Sequence, residues 1–309
     1  MIDTLGLGYA VLIAKPLVML PLLLAELLVL FSPRVMLTPL TGPIERVALG
    51  RTGAWLDVRG LASWMSGYDV TELAALQAPM IRMPAFIPSL SSERLASFGW
   101  HASYSSAPVA LVSVVALLAL VTGLLMSVVY RMLLAAEGLG VGTFRDLASP
   151  RLVTAMALRL AGWAAAIVGL MALVSMPVLV VTTFGLIFGF GGSRILWVFV
   201  LVPFAWGFVH FYFSIHAMFV DRSGPFDALR SSYLVVRSNF WQSVQFIATT
   251  MLITTGMTFA LQQMASSAGG VMAAIAINTF VATGIVLAAM HFYRDRARQL
   301  GLSVDDLGR

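Results

Sequence analysis

Six runs of about twenty apolar residues, each the length needed to cross a hydrocarbon core of roughly 30 Å, dominate this chain. They lie at about 10–31, 108–130, 158–183, 195–219, 244–262 and 271–292. A soluble surface does not tolerate a composition of 60% hydrophobic and only 11% charged residues, so lipid is the expected solvent. We therefore predict an all-α polytopic membrane helical bundle with six transmembrane helices, forming a single membrane domain over residues 1–309.

The arginines of the connections predict the orientation of these spans. Residues 131–159, 221–243 and the tail from 294 together hold eleven arginines, whereas the short loops that would lie opposite hold only Arg194. Cytoplasmic loops retain positive charge, so we predict that both termini lie inside, in a multi-pass protein of the prokaryotic cytoplasmic membrane. We attribute the net charge of +5 to arginines that flank the membrane segments and meet anionic phospholipid headgroups. We do not predict a nucleic-acid partner.

The segment 32–107 lies between the first two spans and is predicted to be an extracytoplasmic insertion. Pro33, Pro39 and Pro43 break its beginning, and Asp69-Val-Thr-Glu72 has the spacing of a capping box before a short apolar stretch. These signals predict short interfacial helices in an otherwise irregular segment.

A second connection, 221–243, is predicted to be a cytoplasmic interfacial elbow helix. Ser223-Gly-Pro225 is typical of a helix start, because proline in the first turn loses no hydrogen bond that the helix would make. Arg230 and Arg237 flank an apolar stripe, so their stems can lie on lipid while the guanidinium groups reach phosphate. The alternative is a contact with an anionic lipid or a protein partner, to which the arginines of the tail would add. These are Arg294, Arg296 and Arg298.

The same connection contains a longer motif, the stretch 224–244, "GPFDALRSSYLVVRSNFWQSV". A small residue and proline are followed by basic, serine and basic positions and then by Asn239-Phe-Trp241. This pattern resembles a motif of the glycerophosphodiester phosphodiesterase membrane-domain family and its six-span relatives. The end of the chain, "HFYRDRARQLGLSVDDL", is similar to the closing pattern of that family, although the order of Arg294 and Asp295 differs. The resemblance implies a six-span membrane fold.

The resemblance does not imply hydrolase activity, because the catalytic barrel of the namesake enzymes is a separate soluble domain. That chemistry needs a His-Arg-Gly sequence, and none of the four histidines is followed by Arg-Gly. A chain without cysteine also has no thiolate nucleophile and no cysteine-bound metal. We therefore predict no enzymatic activity, no cofactor and no metal.

Two ionisable residues in the first span are candidates for a polar pathway or for contacts between helices. Lys15 and Glu26 are eleven positions apart, which places them on one helical face but about 16 Å apart along the axis. An unpaired charge in hydrocarbon is unfavourable, so each either reaches the interface, pairs with another helix or lines a conduction path.

Polar residues in two later spans have the same two interpretations. His210 and Ser214 share a helical face at a spacing of four, and Asn278 lies in the last span. Such groups commonly join helices by hydrogen bonds, and together with Lys15 and Glu26 they would also suit a narrow polar path.

Two main functional hypotheses follow from these residues. The first is a non-catalytic scaffold or accessory subunit of a membrane assembly, with a membrane protein as its partner. The second is a small-molecule or lipid transporter or lipid-handling protein, because Pro16, Pro21, Pro177 and Pro203 would break helices and free backbone carbonyls. A third, minor hypothesis is an enzyme acting from acidic residues or His101 of the 32–107 segment.

Overall fold

The structure is a computed structural model that describes residues 2–32, 34–35, 84–87, 90, 103–104, 108–147, 149–187, 202 and 205–302. Most of the 32–107 segment lies outside these residues, as does part of the fourth predicted span. The described chain is helical apart from two short strands and the turns that join the helices. Its helices are α1 (Ile2–Ala14), α2 (Leu20–Phe31), α3 (Val109–Leu133), α4 (Phe144–Leu147), α5 (Pro150–Ile187), α6 (Ser214–Val220), α7 (Pro225–Ser238), α8 (Phe240–Met264) and α9 (Ala268–Gln299).

Short irregular elements complete the described fold. A 3-10 turn, Pro16–Met19, precedes α2, and a π-helical turn, Leu134–Gly138, extends α3. The strands β1 (Arg34–Val35) and β2 (Ser103–Tyr104) pair in parallel, with Arg34 opposite Ser103.

Four described segments are long and apolar enough to cross a membrane, namely Ala110–Gly138, Pro150–Leu173, Phe240–Met264 and Ala268–Gln299. A fifth candidate is the pair Asp3–Ala14 and Pro16–Phe31, which is bent by 100°. These segments confirm that the chain is a helical, multi-pass membrane protein. Near the fourth predicted span, 195–219, the described residues contain a shorter apolar helix, Ala205–Val220.

The first predicted span, 10–31, is two helical segments. The break falls at Lys15, where φ is −136° and ψ is 69°, and Pro16 begins the next helical turn. Pro21 lies in the first turn of α2. Proline disfavours helical geometry in the residue before it, which explains the break at Lys15. Proline also lacks an amide hydrogen, which the first turn of a helix does not need, so Pro21 suits the start of α2. The predicted role of these prolines in kinking or starting a helix is confirmed.

Packing divides the chain into two compact units, of which the first contains residues 1–14, 131–253 and 284–309. Its centre is aromatic: Phe292 stacks on Phe246, with 4.7 Å between ring centroids, and on Phe213 at 5.2 Å. Helix α1 approaches α9 closely in this unit. A Cβ atom added at Gly8 would lie 2.5 Å from the carbonyl oxygen of Gly284, so glycine is needed there.

The second unit contains residues 15–130 and 254–283. It includes α2, both strands, most of α3 and the first half of α9. The hydroxyl of Tyr130 donates a buried hydrogen bond of 3.2 Å to Thr283 Oγ1. The interpretation of residues 1–309 as a single membrane domain stays a prediction.

The predicted elbow, 221–243, contains helix α7. Gly224 occupies the position before the helix and Pro225 is in its first turn, as the sequence pattern indicates. The helix is amphipathic, since Ala228, Val235 and Val236 are buried while its arginines are exposed. Its cytoplasmic, interfacial location stays a prediction.

Candidate functional site

The carboxylate of Glu26 is the centre of a buried polar cluster in the second unit. The side chain is fully buried on α2. Its Oε2 atom accepts hydrogen bonds from the backbone N–H of Phe86 at 2.9 Å and of Ile87 at 3.2 Å. The side chains of Phe86 and Ile87 are themselves fully buried.

Asn278 on α9 completes this cluster. Its Nδ2 atom lies 3.4 Å from Glu26 Oε1 and donates a shorter bond of 2.9 Å to the carbonyl oxygen of Pro84. We name the group formed by Glu26, Asn278 and the backbone of 84–87 the Glu26 clamp. Because α2, α9 and this stretch of the predicted insertion share one set of hydrogen bonds, the clamp holds the stretch 84–87 against two apolar helices.

Lys15 and Glu26 are in different environments. Lys15 is exposed at the break between α1 and the 3-10 turn, whereas Glu26 is buried and is hydrogen-bonded to groups of 86–87 and 278. Of the five residues predicted for a polar pathway or interhelical contacts, the structure therefore brings Glu26 and Asn278 together and leaves Lys15 apart from them.

His210 and Ser214 are joined to neighbouring segments and not to each other. The helix is interrupted by a turn at Tyr212 and Phe213. Ser214 Oγ accepts a bond of 2.9 Å from Trp163 Nε1 on α5. His210 stacks on Trp206 with 4.1 Å between ring centroids, and its Nδ1 lies 2.8 Å from the carbonyl oxygen of Trp206. A carbonyl oxygen only accepts, so Nδ1 carries the proton.

Ser232 links the elbow to this aromatic group, because its Oγ donates a buried bond of 2.7 Å to the carbonyl oxygen of His210. The ring of Tyr233 lies 5.4 Å from that of His210. The role of His210 here is to connect α7 with the preceding helical residues by packing and hydrogen bonding.

The arginines predicted to contact lipid or a partner fall into two groups. Arg230 and Arg237 on α7, and Arg298 near the end of α9, are exposed. Arg294 donates a hydrogen bond to the carbonyl oxygen of Leu139. Arg296 bonds to Gln299 at 2.9 Å and lies over the ring of Phe292, 5.6 Å from its centroid. Arg294 and Arg296 therefore contribute to packing within the first unit.

An open, almost wholly apolar groove lies between α5 and α7 in the first unit. Its volume is about 490 Å³, and Gly169 and Leu173 of α5 face Phe226, Leu229 and Tyr233 of α7 across it. Arg230 is the charged residue among those that line it. The arrangement can accept an elongated apolar group with an anionic end.

One charged contact in the first unit was not predicted from the sequence. Arg222 Nη2 bonds to Asp146 Oδ2 at 2.6 Å, and the same carboxylate oxygen accepts the N–H of Thr143 at 3.0 Å. The guanidinium of Arg222 holds the pKa of Asp146 below its ordinary value. The spacing Thr143-Phe-Arg-Asp146 is that of a capping box and was the available signal, but its arginine partner is 76 residues away.

A second arginine contacts Arg222, because Arg159 donates a hydrogen bond to the backbone carbonyl oxygen of Arg222. Arg222 has a positive φ of 48°, which is unusual for a side chain of this size. Its neighbour Asp221 accepts a hydrogen bond from the hydroxyl of Tyr293. Burial raises the pKa of Asp221, and the bond from Tyr293 partly opposes that effect.

Comparison of the chain with protein-family models, with curated proteins and with solved structures finds no match. The resemblance to the glycerophosphodiester phosphodiesterase membrane-domain family therefore stays a prediction. Within the described ranges, the structure contains no group of three or more His, Asp or Glu side chains that could hold a metal ion.

Proposed function

We propose that this protein is a non-catalytic scaffold or accessory subunit, which holds its 32–107 segment against membrane helices for recognition by a membrane-protein partner. The observation that supports this function is the Glu26 clamp. It attaches the backbone of 84–87, far along that segment, to α2 and α9.

The energetics of the clamp favour positioning over conduction. Burying a carboxylate is strongly unfavourable unless hydrogen bonds replace its water, and here two backbone amides and one side-chain amide do so. A carboxylate on a conduction path must exchange partners with the moving ion or substrate. Glu26 instead accepts from backbone groups that cannot leave without moving the chain.

The proposed topology has six spans with both termini in the cytoplasm, the 32–107 segment outside and the elbow 221–243 inside. Several long apolar helices and the distribution of arginines support it. The similarity of 224–244 to the glycerophosphodiester phosphodiesterase membrane-domain family supports the same plan. In this plan the exposed arginines of α7 meet the anionic headgroups of the inner leaflet.

The chain has no cysteine, so single cysteines report topology without removal of native ones. We expect Arg237→Cys and Arg298→Cys to react with a membrane-impermeant maleimide only after the cells are opened, since both positions are exposed. Labelling of one of the two in intact cells would contradict the proposed topology.

Co-purification tests the scaffold function. Tagged protein is extracted from its native membrane in mild detergent, and we expect one partner to co-purify in a fixed ratio. Glu26→Ala releases the 84–87 stretch and should lower partner recovery, whereas the exposed control Asp295→Ala should not. A wild-type protein that purifies alone, or a partner held equally by both variants, would refute the scaffold proposal.

The second candidate is a small-molecule or lipid transporter or lipid-handling protein. The observation that favours it is the break at Lys15, because discontinuous helices expose backbone groups and form the substrate sites of many transporters. Pro16→Ala should restore continuity and reduce transport or lipid exchange by reconstituted protein. No exchange by the wild-type protein would exclude this candidate.

A further inference from the structure

We infer that the groove between α5 and α7 binds one anionic glycerophospholipid, with an acyl chain along its apolar walls and its phosphate on Arg230. This lipid site goes beyond the proposed scaffold function and does not depend on it.

The shape and lining of the groove fit an acyl chain. A volume of about 490 Å³ is within the range of roughly 300–1,000 Å³ that is usual for small-molecule sites. Phe226 is 76% exposed and Leu173 is 69% exposed, so the two walls present large apolar side chains to whatever occupies the groove. Among the residues that the structure describes, no atom lies within 4 Å of a Cβ position at Gly169, so the groove is open beside this glycine.

Arg230 supplies the charge that selects an anionic lipid. Within the described part of the chain it makes no hydrogen bond or ion pair, so its guanidinium is available for a phosphate. Arginine binds phosphate in a bidentate manner, which gives it geometric as well as electrostatic preference. Tyr233 lines the same groove, and a tyrosine hydroxyl can donate a further hydrogen bond.

The acidic residue nearest in sequence does not neutralise this arginine. Asp227 precedes Arg230 by three positions on α7, but its Oδ2 lies 3.3 Å from the Cβ position of Gly224, at the start of the helix. A carboxylate at a helix N-terminus is stabilised by the helix dipole and the free amides there. The charge of Arg230 is therefore left for an external anion.

A close contact keeps the two walls in position. A Cβ atom at Gly162 on α5 would lie 3.3 Å from the ring of Pro225 on α7, so the helices are near contact beside the groove. A partner helix in the groove would place an apolar surface on Arg230 and leave its charge without a counter-ion, which disfavours that occupant.

The test uses the full-length protein in nanodiscs of phosphatidylcholine with a minor fraction of phosphatidylglycerol. Native mass spectrometry then counts the lipid that remains bound after gentle release. Arg230→Gln removes the phosphate contact, and Gly169→Leu places an apolar side chain in the groove from a position whose Cβ meets no described atom within 4 Å. The matched controls are Arg237→Gln, exposed on the same helix outside the groove lining, and Gly256→Leu, whose Cβ position also has no atom of the described residues within 4 Å.

We expect Arg230→Gln to lower retained phosphatidylglycerol about tenfold, as the loss of a charge-assisted contact does, and Gly169→Leu to lower it by filling the groove. The controls should leave retained lipid unchanged, because a headgroup that meets Arg237 outside the groove exchanges with the bilayer and is lost on release. Equal losses in Arg230→Gln and Arg237→Gln would show general attraction to the headgroup layer and overturn the proposal. The proposal would also be overturned if the wild-type protein retained phosphatidylcholine as well as it retains phosphatidylglycerol, or if it retained no lipid. A dimer that Gly169→Leu abolishes would overturn it too, because a second copy would then occupy the groove.

Discussion

Asn278 Nδ2 lies 3.4 Å from Glu26 Oε1, although 252 residues separate them, and the same nitrogen donates to the carbonyl oxygen of Pro84 at 2.9 Å. The side-chain amide of Asn278 thus connects α9, on which it lies, with α2 and with the 32–107 segment. The stability of this part of the protein should depend on both side chains.

Removal of the carboxylate should destabilise the second unit. Glu26→Ala leaves two buried backbone N–H groups without an acceptor, and we expect a loss of about 2–3 kcal/mol in unfolding free energy. Glu26→Gln keeps one oxygen acceptor and should lose less. Thermal unfolding in detergent measures both, and equal midpoints for wild type and Glu26→Ala would contradict the clamp.

The two clamp side chains should be coupled. Asn278→Ala removes the donor to Glu26 and to Pro84, and the Glu26→Ala/Asn278→Ala double variant should be less destabilised than the sum of the single variants. We expect a coupling energy of about 0.5–1.5 kcal/mol from a double-mutant cycle. Additive effects would show that the two residues act independently.

Gly8 and Gly6 on α1 offer a matched test of helix packing. An alanine Cβ at Gly8 would lie 2.5 Å from Gly284 O and 2.8 Å from Ala288 N, whereas a Cβ at Gly6 would meet no described residue outside its own helical turn within 4 Å. We expect Gly8→Ala to cost about 1–3 kcal/mol by overpacking. Gly6→Ala should be neutral or slightly stabilising, because alanine favours helix. The reverse order of the two unfolding midpoints would contradict the packing of α1.

Gly142 and Gly140 separate backbone strain from loss of the Asp146–Arg222 contact. Both have positive φ, 88° and 67°, but of the two only a Cβ at Gly142 would collide with other described residues, namely the guanidinium of Arg222 and the carboxylate of Asp146. Alanine should add strain at either position, of about 1–2 kcal/mol, and at Gly142 it should also displace the arginine. We therefore expect Asp146→Asn, which removes the charge, to change the unfolding free energy little further in the Gly142→Ala background. In the Gly140→Ala background it should change the unfolding free energy as much as it does in the wild-type protein.

Acidification should weaken the same contact. Arg222 lowers the folded-state pKa of Asp146 below the ordinary value of 3.8, so its stabilising contribution is complete above that value and is lost as pH falls through the folded pKa. Hydrogen exchange of the Thr143 amide, which bonds to the Asp146 carboxylate, measures this change. Exchange should accelerate in acid in the wild type relative to Asp146→Asn. If the Thr143 amide of the wild type instead became better protected than that of Asp146→Asn as the pH falls, the contact between Asp146 and Arg222 would be refuted.

Local sequence patterns were sufficient for the membrane class and for several helix starts. Apolar runs report the solvent of a segment, and prolines such as Pro16, Pro21 and Pro225 report where a helix begins, because both effects act within a few residues. Sequence also singled out Glu26 and Asn278 as polar residues in apolar surroundings. It did not indicate that they would meet each other.

Contacts between distant residues required the folded chain. The acceptor role of Glu26 depends on backbone amides of 86–87, which every residue type except proline offers, so no side-chain pattern indicates it. The groove beside Arg230 depends on the spacing of α5 and α7, and Asp146 finds Arg222 only because α4 and the start of the elbow converge. Periodicity shows which face of a helix is apolar, but the partner of that face is selected by packing across the whole chain.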